Sequence, residues 1–184
     1  MATQLETFES NLGTVRTDVT RATPSTFEAA IADAIVEPAV GTSLPFEEVS
    51  LANTDVVCDP TSTQLREAAC GVTAAAIGVA DYGSVVLEAT PDGAEFAGLF
   101  PDRHVVVLRK RDIVPDMAAA FERLGDRFRD GRDDAVIATG PSATADMGEL
   151  VHGVHGPRET HAIILESEEQ SERDGETRGE NDVQ

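Results

Sequence analysis

"AVIATGPSATADMGELVHGVHGPRETHAIIL", residues 135–165, opens and closes on short apolar runs and holds four glycines, two prolines and small hydroxylated residues between them. The outer runs, Ala135–Ala138 and Ala162–Leu165, read as buried strands. The interior then reads as one long loop joining them. Functional loops of open α/β sheets lie at strand ends, so this loop is the first place to look for a site.

Working outward, similar runs recur in "TDVVC", "GSVVLE" and "HVVVL". Continuous apolar runs of this length suit strands covered on both faces. Helical patterns alternate with them. "PSTFEAAIADAIV" begins with Pro24, has capping-box spacing from Ser25 to Glu28, and carries Phe27, Ala30, Ile31, Ala34 and Ile35 on one face. "VPDMAAAFERLGDRFRD" sets Met117, Phe121, Leu124 and Phe128 at helical spacing, the pattern of core contacts. In "AACGVTAAAIGVADYGSVVLEAT" two β-like halves meet at Asp81–Gly83, which fits an antiparallel excursion or a bent hairpin. The alternation predicts an α/β fold, a three-layer sandwich with a mostly parallel sheet. One domain over residues 1–165 is expected. Residues 166–184 hold eight acids, two arginines and one aliphatic side chain, too little apolar surface to offset ordering entropy, and read as an acidic disordered tail.

Composition bounds the function. Fourteen basic residues stand against 34 acidic ones, a net charge of −20, so a nucleic-acid partner is not expected. Lys110 is the only lysine. Such acidity is expected of a halophilic, cytoplasmic protein, in which high salt screens the self-repulsion; an ordinary acidic protein is the alternative. No apolar run approaches the ~20 residues of a membrane span, and "MATQLETFES" lacks the basic end and apolar stretch of a secretory signal. Cys58 and Cys70 cannot supply a disulfide framework or an iron–sulfur cluster and read as small buried residues.

Three segments carry candidate chemistry. In "ATGPSATAD" a strand is expected to turn at Gly140 into a helix capped by Ser142 or Thr144, whose N–H groups would seat a carboxylate or phosphate. Simple capping without a ligand is the alternative. "HGVHGP" places His152 and His155 three residues apart with His161 beyond, but Gly153, Gly156 and Pro157 oppose a regular helix, and no metal site is expected. Loop anchoring is the plainer role. His155 remains a candidate acid, base or carboxylate-binding group. "GVTAAAIGVADYGS" offers Thr73, Asp81, Tyr82 and Ser84 beside small residues, Gly71 and Gly83 among them, that permit close approach of a ligand, and Glu88, closing "VVLE", is either a general base or a solvated strand end. The chain contains no Walker or GxGxxG loop.

Taken together, "GVTAAAIGVADYGSVVL", "LFPDRHVVVLRKRDIVPDM" and "ATGPSATADMGELVHGVHGPRETHAIIL" resemble the LUD domain of the lactate utilization protein C family over roughly residues 65–165. The resemblance implies a fold like that of the ribose-isomerase (RpiA), glucosamine-deaminase (NagB) and CoA-transferase group. It also implies an accessory part in oxidising L-lactate to pyruvate, with no cofactor in this chain and iron–sulfur clusters in lactate utilization protein A- and B-like partner subunits. It carries Gly140, Pro141, Ser142, Thr144, Ala145, Asp146, Gly153, His155, Gly156 and Pro157 onto family motif positions but fixes no catalytic residue; the catalytic candidates are His155, Asp146 and Glu88, and Thr139 joins the ligand-binding candidates. A stand-alone acyl- or formyl-transfer enzyme and a small-carboxylate or phosphate sensor of the same fold are the alternatives.

Overall fold

The computed structural model describes residues 2–132, 134–146 and 149–167. In chain order the elements are α1 (Gln4–Thr14), β1 (Thr17–Ala22), α2 (Phe27–Ala34), β2 (Ala39–Gly41), β3 (Val56–Cys58), α3 (Ser62–Glu67), β4 (Cys70–Ala74), β5 (Ile77–Val79), β6 (Ser84–Glu88), α4 (Ala94–Leu99), β7 (Arg103–Arg109), β8 (Ile113–Val114), α5 (Met117–Arg129), β9 (Ala135–Thr139), β10 (Ala143–Asp146), β11 (Glu149–His152) and β12 (Glu159–Leu165). Six strands form a sheet in the order β1-β12-β7-β4-β2-β3. Every pairing in it is parallel. A second sheet, β8-β5-β6-β9, is mostly antiparallel. Its β5–β6 hairpin turns through residues 80–83, where the sequence predicts a break.

The apolar runs explain the layering. Val105 and Val107 of β7 and Ile163 of β12 point to one face, where Phe27, Ala30, Ile31 and Ala34 of α2 cover them. Val106, Leu108, Ala162 and Ile164 point to the other face and pack on Leu5, Phe8 and Leu12 of α1 and on the second sheet. Alternate side chains of a strand point to opposite faces, so a run without polar gaps needs both covers. Helix α5 closes the far side of the second sheet through Ala120 and Leu124. Among the described residues, no helix is long and apolar enough to cross a membrane.

Several expectations are corrected. Helix α2 starts at Phe27 with Thr26 as N-cap, and no Ser25–Glu28 box forms; the Thr26 hydroxyl instead accepts from the Thr23 N–H at 2.9 Å. On α5, Phe121 and Phe128 are exposed. The buried residues of the helix are Ala120 and Leu124, with Met117 half-buried beside them; Phe121 follows Ala120 by about 100° around the helix and so turns outward. Strand β9 is an edge strand with Val136 and Ile137 exposed, not a strand covered on both faces. Glu166 is part of the fold and not of a tail: it is buried, its N–H donates to the Ala22 carbonyl, and its carboxylate meets Lys110 Nζ at 2.9 Å. The rest of the expected tail, from residue 168, lies outside the described residues.

Candidate functional site

The opening stretch does not join neighbouring strands of one sheet. It leaves β9 in the second sheet and returns to β12 in the first, so its loop bridges the gap between them. Where a helix is expected after Gly140, β10 and β11 form an antiparallel hairpin, Thr144 opposite Val151 and Asp146 opposite Glu149. The expected anion seat at a helix start therefore has no helix to make it. Two backbone bonds decide this: Ser142 N–H donates to the Pro157 carbonyl at 2.8 Å, and Gly153 N–H to the Ser142 carbonyl at 3.0 Å. Gly140 starts the loop at φ +65°, and a Cβ there would lie 2.3 Å from the Val15 carbonyl oxygen, so this turn requires glycine.

Under the loop is a cavity of about 380 Å³. Thr17, His104 and Thr160 reach it from the amino ends of β1, β7 and β12, and Val85, Leu87, Val136 and Ala138 from the second sheet. Thr139, Gly140, Pro141, Ser142, His155, Gly156 and Pro157 form its lip, with Gly83 nearby. Of the candidate residues, these eight come together. The cavity lies at the amino ends of the parallel strands, opposite to where such sheets ordinarily bind ligands.

Its polar groups are mostly paired. Thr17 and Thr160 share a hydroxyl–hydroxyl bond of 2.6 Å, and Ser84 binds Thr139 at 2.7 Å across the β6–β9 ladder. His104 Nε2 meets the Thr73 hydroxyl at 2.8 Å. Burial pulls the His104 pKa down to about 4, so the imidazole is neutral at pH 7. His155 is exposed at the lip with no hydrogen bond among the described residues. No arginine or lysine of the described residues lines this cavity. Its walls suit an apolar or neutral group inserted past hydroxyls and imidazoles.

The remaining candidates are placed elsewhere. Gly71 is a packing position under α4, with Ala97 against it. Thr73 acts through His104. Gly153 turns the chain back at φ +78°. Thr144 lies in the hairpin away from the cavity, and the Asp146 side chain is outside the described set. Glu88 is neither a base nor a solvated end. Burial works to raise its pKa, but hydrogen bonds from Arg127 and Arg132 outweigh it and hold the carboxyl below its ordinary value. An ionised carboxylate so paired is a poor proton acceptor. His152 accepts from Arg16 at 2.9 Å, and His161 contacts Thr20 at 2.9 Å and Arg103 at 3.2 Å. The three histidines of the region therefore do not converge. Sequence reasoning missed His104, Thr17 and Thr160 as site residues; a titratable group heading the buried run "HVVVL" was the available signal.

Comparison with known proteins places this geometry among relatives. A family described as LUD domain matches residues 47–165. Lactate utilization protein C of Bacillus licheniformis is 33% identical over 114 residues, 59% of this chain and 47% of that protein. Lactate utilization protein C of Deinococcus radiodurans is 33% identical over 105 residues, 55% of this chain and 49% of that protein. The chain thus spans about half the length of the curated relatives it matches. A crystal structure of a DUF162 family protein from Deinococcus radiodurans superposes with TM-score 0.67 at 23% identity, covering 89% of this chain and 96% of that one, and shares the fold.

Proposed function

The chain belongs to the LUD domain family, and from that premise we propose that it is an accessory, non-redox subunit in the cytoplasmic oxidation of L-lactate to pyruvate. Electron transfer belongs to iron–sulfur partners resembling lactate utilization proteins A and B. Two cysteines cannot ligate a cluster in this sequence, whereas such a cluster takes four cysteine-type ligands. Relatives named lactate utilization protein C support lactate as the substrate of this reading. The observation that carries the subunit role is the convergence of the Thr139–Ser142 and His155–Pro157 loops on one cavity beside an exposed apolar rim. Leu99 lines that cavity, and Phe96, Leu99 and Phe100 of the α4 region are all solvent-exposed. Exposed aromatic groups beside a concave lip are the composition of a protein-docking surface.

Tagged protein isolated from its native host is expected to bring down cysteine-rich iron–sulfur proteins. Phe100→Asp and His155→Ala each remove an exposed group, and each is expected to lower that recovery by about tenfold or more while melting stays near wild type. Unchanged recovery in both variants would contradict the docking role. Lactate turnover by the purified chain alone would favour a stand-alone enzyme instead.

A further inference from the structure

A second cavity, of about 230 Å³, lies at the opposite end of the six-stranded sheet. Its floor is made where β2 leaves into Thr42 and Ser43, where β4 leaves into Ala75 and Ala76, and where β7 ends at Arg109. The next strand of this sheet after β2 is β3, on one side; after β4 it is β7, on the other. The carboxyl ends of β2 and β4 therefore flank a topological switch point, the crevice in which open parallel sheets bind ligands.

Three arginines line this crevice, in a protein of net charge −20. Arg109 stacks on the Phe46 ring, 4.9 Å from its centroid, and its Nε donates to Asp112 at 2.6 Å. Arg127 grips both oxygens of Glu88 through Nε and Nη2, and Arg132 Nη1 donates to the same carboxylate at 2.9 Å. These contacts fix the guanidiniums without exhausting them. Both terminal nitrogens of Arg109, Nη1 of Arg127, and Nε and Nη2 of Arg132 make no hydrogen bond among the described residues. Among the described residues of the lining, two carboxylates, Glu88 and Asp112, stand against these three arginines, an excess of positive charge. Ser43, Ala74, Ala75 and Ala94 keep the walls short and allow close approach.

We infer that this crevice is a binding site for a small oxyanion, the carboxylate or phosphate of a small metabolite, gripped by Arg109 and Arg132 with Arg127 held in place by Glu88. Planar guanidiniums with spare N–H donors match the paired oxygens of such groups. The volume falls below the ~300 Å³ at which pockets for drug-sized ligands begin, so the ligand is small. The inference does not rest on the lactate pathway. Among the described residues the loop cavity is lined by no arginine or lysine, whereas this end of the sheet presents three arginines to an anion.

Calorimetric titration of the full chain at fixed potassium chloride tests it, with L-lactate, pyruvate and inorganic phosphate as probes. Saturable binding of at least one probe is expected; the two acids against phosphate decide which oxyanion is held. Arg109→Gln and Arg132→Gln should each weaken that binding at least tenfold with melting preserved. Arg111→Gln, whose side chain faces Glu48 outside this cavity, and Ser142→Ala, in the other cavity, should leave it unchanged. No saturable heat from any probe would overturn the site, as would binding that survives the Arg109→Gln/Arg132→Gln double variant or is lost equally in Ser142→Ala. Phosphate binding alone upholds the site even if the lactate reading fails.

Discussion

Gly71→Ala is expected to destabilise the protein by about 3 kcal/mol or more, at the upper end of overpacking effects. Gly71 lies in β4, between β2 and β7 in the parallel sheet, and α4 crosses directly over it. A Cβ added there would sit 1.7 Å from the Ala97 carbonyl oxygen and 2.8 Å from its carbon. Both are backbone atoms, so no rotamer change relieves the overlap, and α4 must lift off the sheet. For a chain of this size the melting temperature should drop by about 10 °C. Urea unfolding of wild type and variant measures the loss. A variant within about 0.5 kcal/mol of wild type, the range of ordinary surface changes, would mean that Gly71 has the slack of a ligand-contact glycine and not a packing role.

The second large effect is a loss of stability in mild acid that belongs to His104. Its imidazole is held at a pKa of about 4 by burial alone, whereas in the unfolded chain it titrates near ~6.5. Between these values only the unfolded chain takes up the proton. The contribution is therefore fully present above about pH 6.5 and declines as the pH falls towards 4, by about 3 kcal/mol in all. Glu88 acts in a different window. Its folded pKa is depressed below 4.5, so its share persists until the pH drops below that value. Urea unfolding of wild type and His104→Gln at several pH values from 4.5 to 7.5 is expected to give curves that converge in acid, because glutamine keeps a partner for Thr73 but binds no proton. Parallel curves would show that His104 is not the group responsible.

Much of the architecture was legible because it is local. The apolar runs "VVVL" (Val105–Leu108) and "AIIL" (Ala162–Leu165) suit strands covered on both faces, and residues 80–83 break the chain between two β-rich halves as the small hairpin requires. The loops at Thr139–Ser142 and His155–Pro157 were also visible as candidates, and they do meet. What was not legible depends on distant partners. Ser142 and Thr144 look like helix caps in isolation; the hairpin follows from bonds between Ser142 and Pro157, fifteen positions along the chain. Glu88 resembles a free carboxylate until Arg127 and Arg132 are brought to it from helix α5 and the turn beyond. His104 needed Thr73, from the neighbouring strand, to be recognised as a buried polar pair. Glu166 reads as the start of an acidic run, yet Lys110 and Arg21 draw it into the fold. Fold and site do not by themselves name an activity, and the pathway assignment rests on the relatives.

Growth on L-lactate as sole carbon source, after deletion of the coding sequence from a host with no second copy, tests that assignment most directly. Growth is expected to stop on L-lactate and continue on pyruvate, with the wild-type gene restoring it. Normal growth of the deletion strain on L-lactate would contradict the lactate assignment.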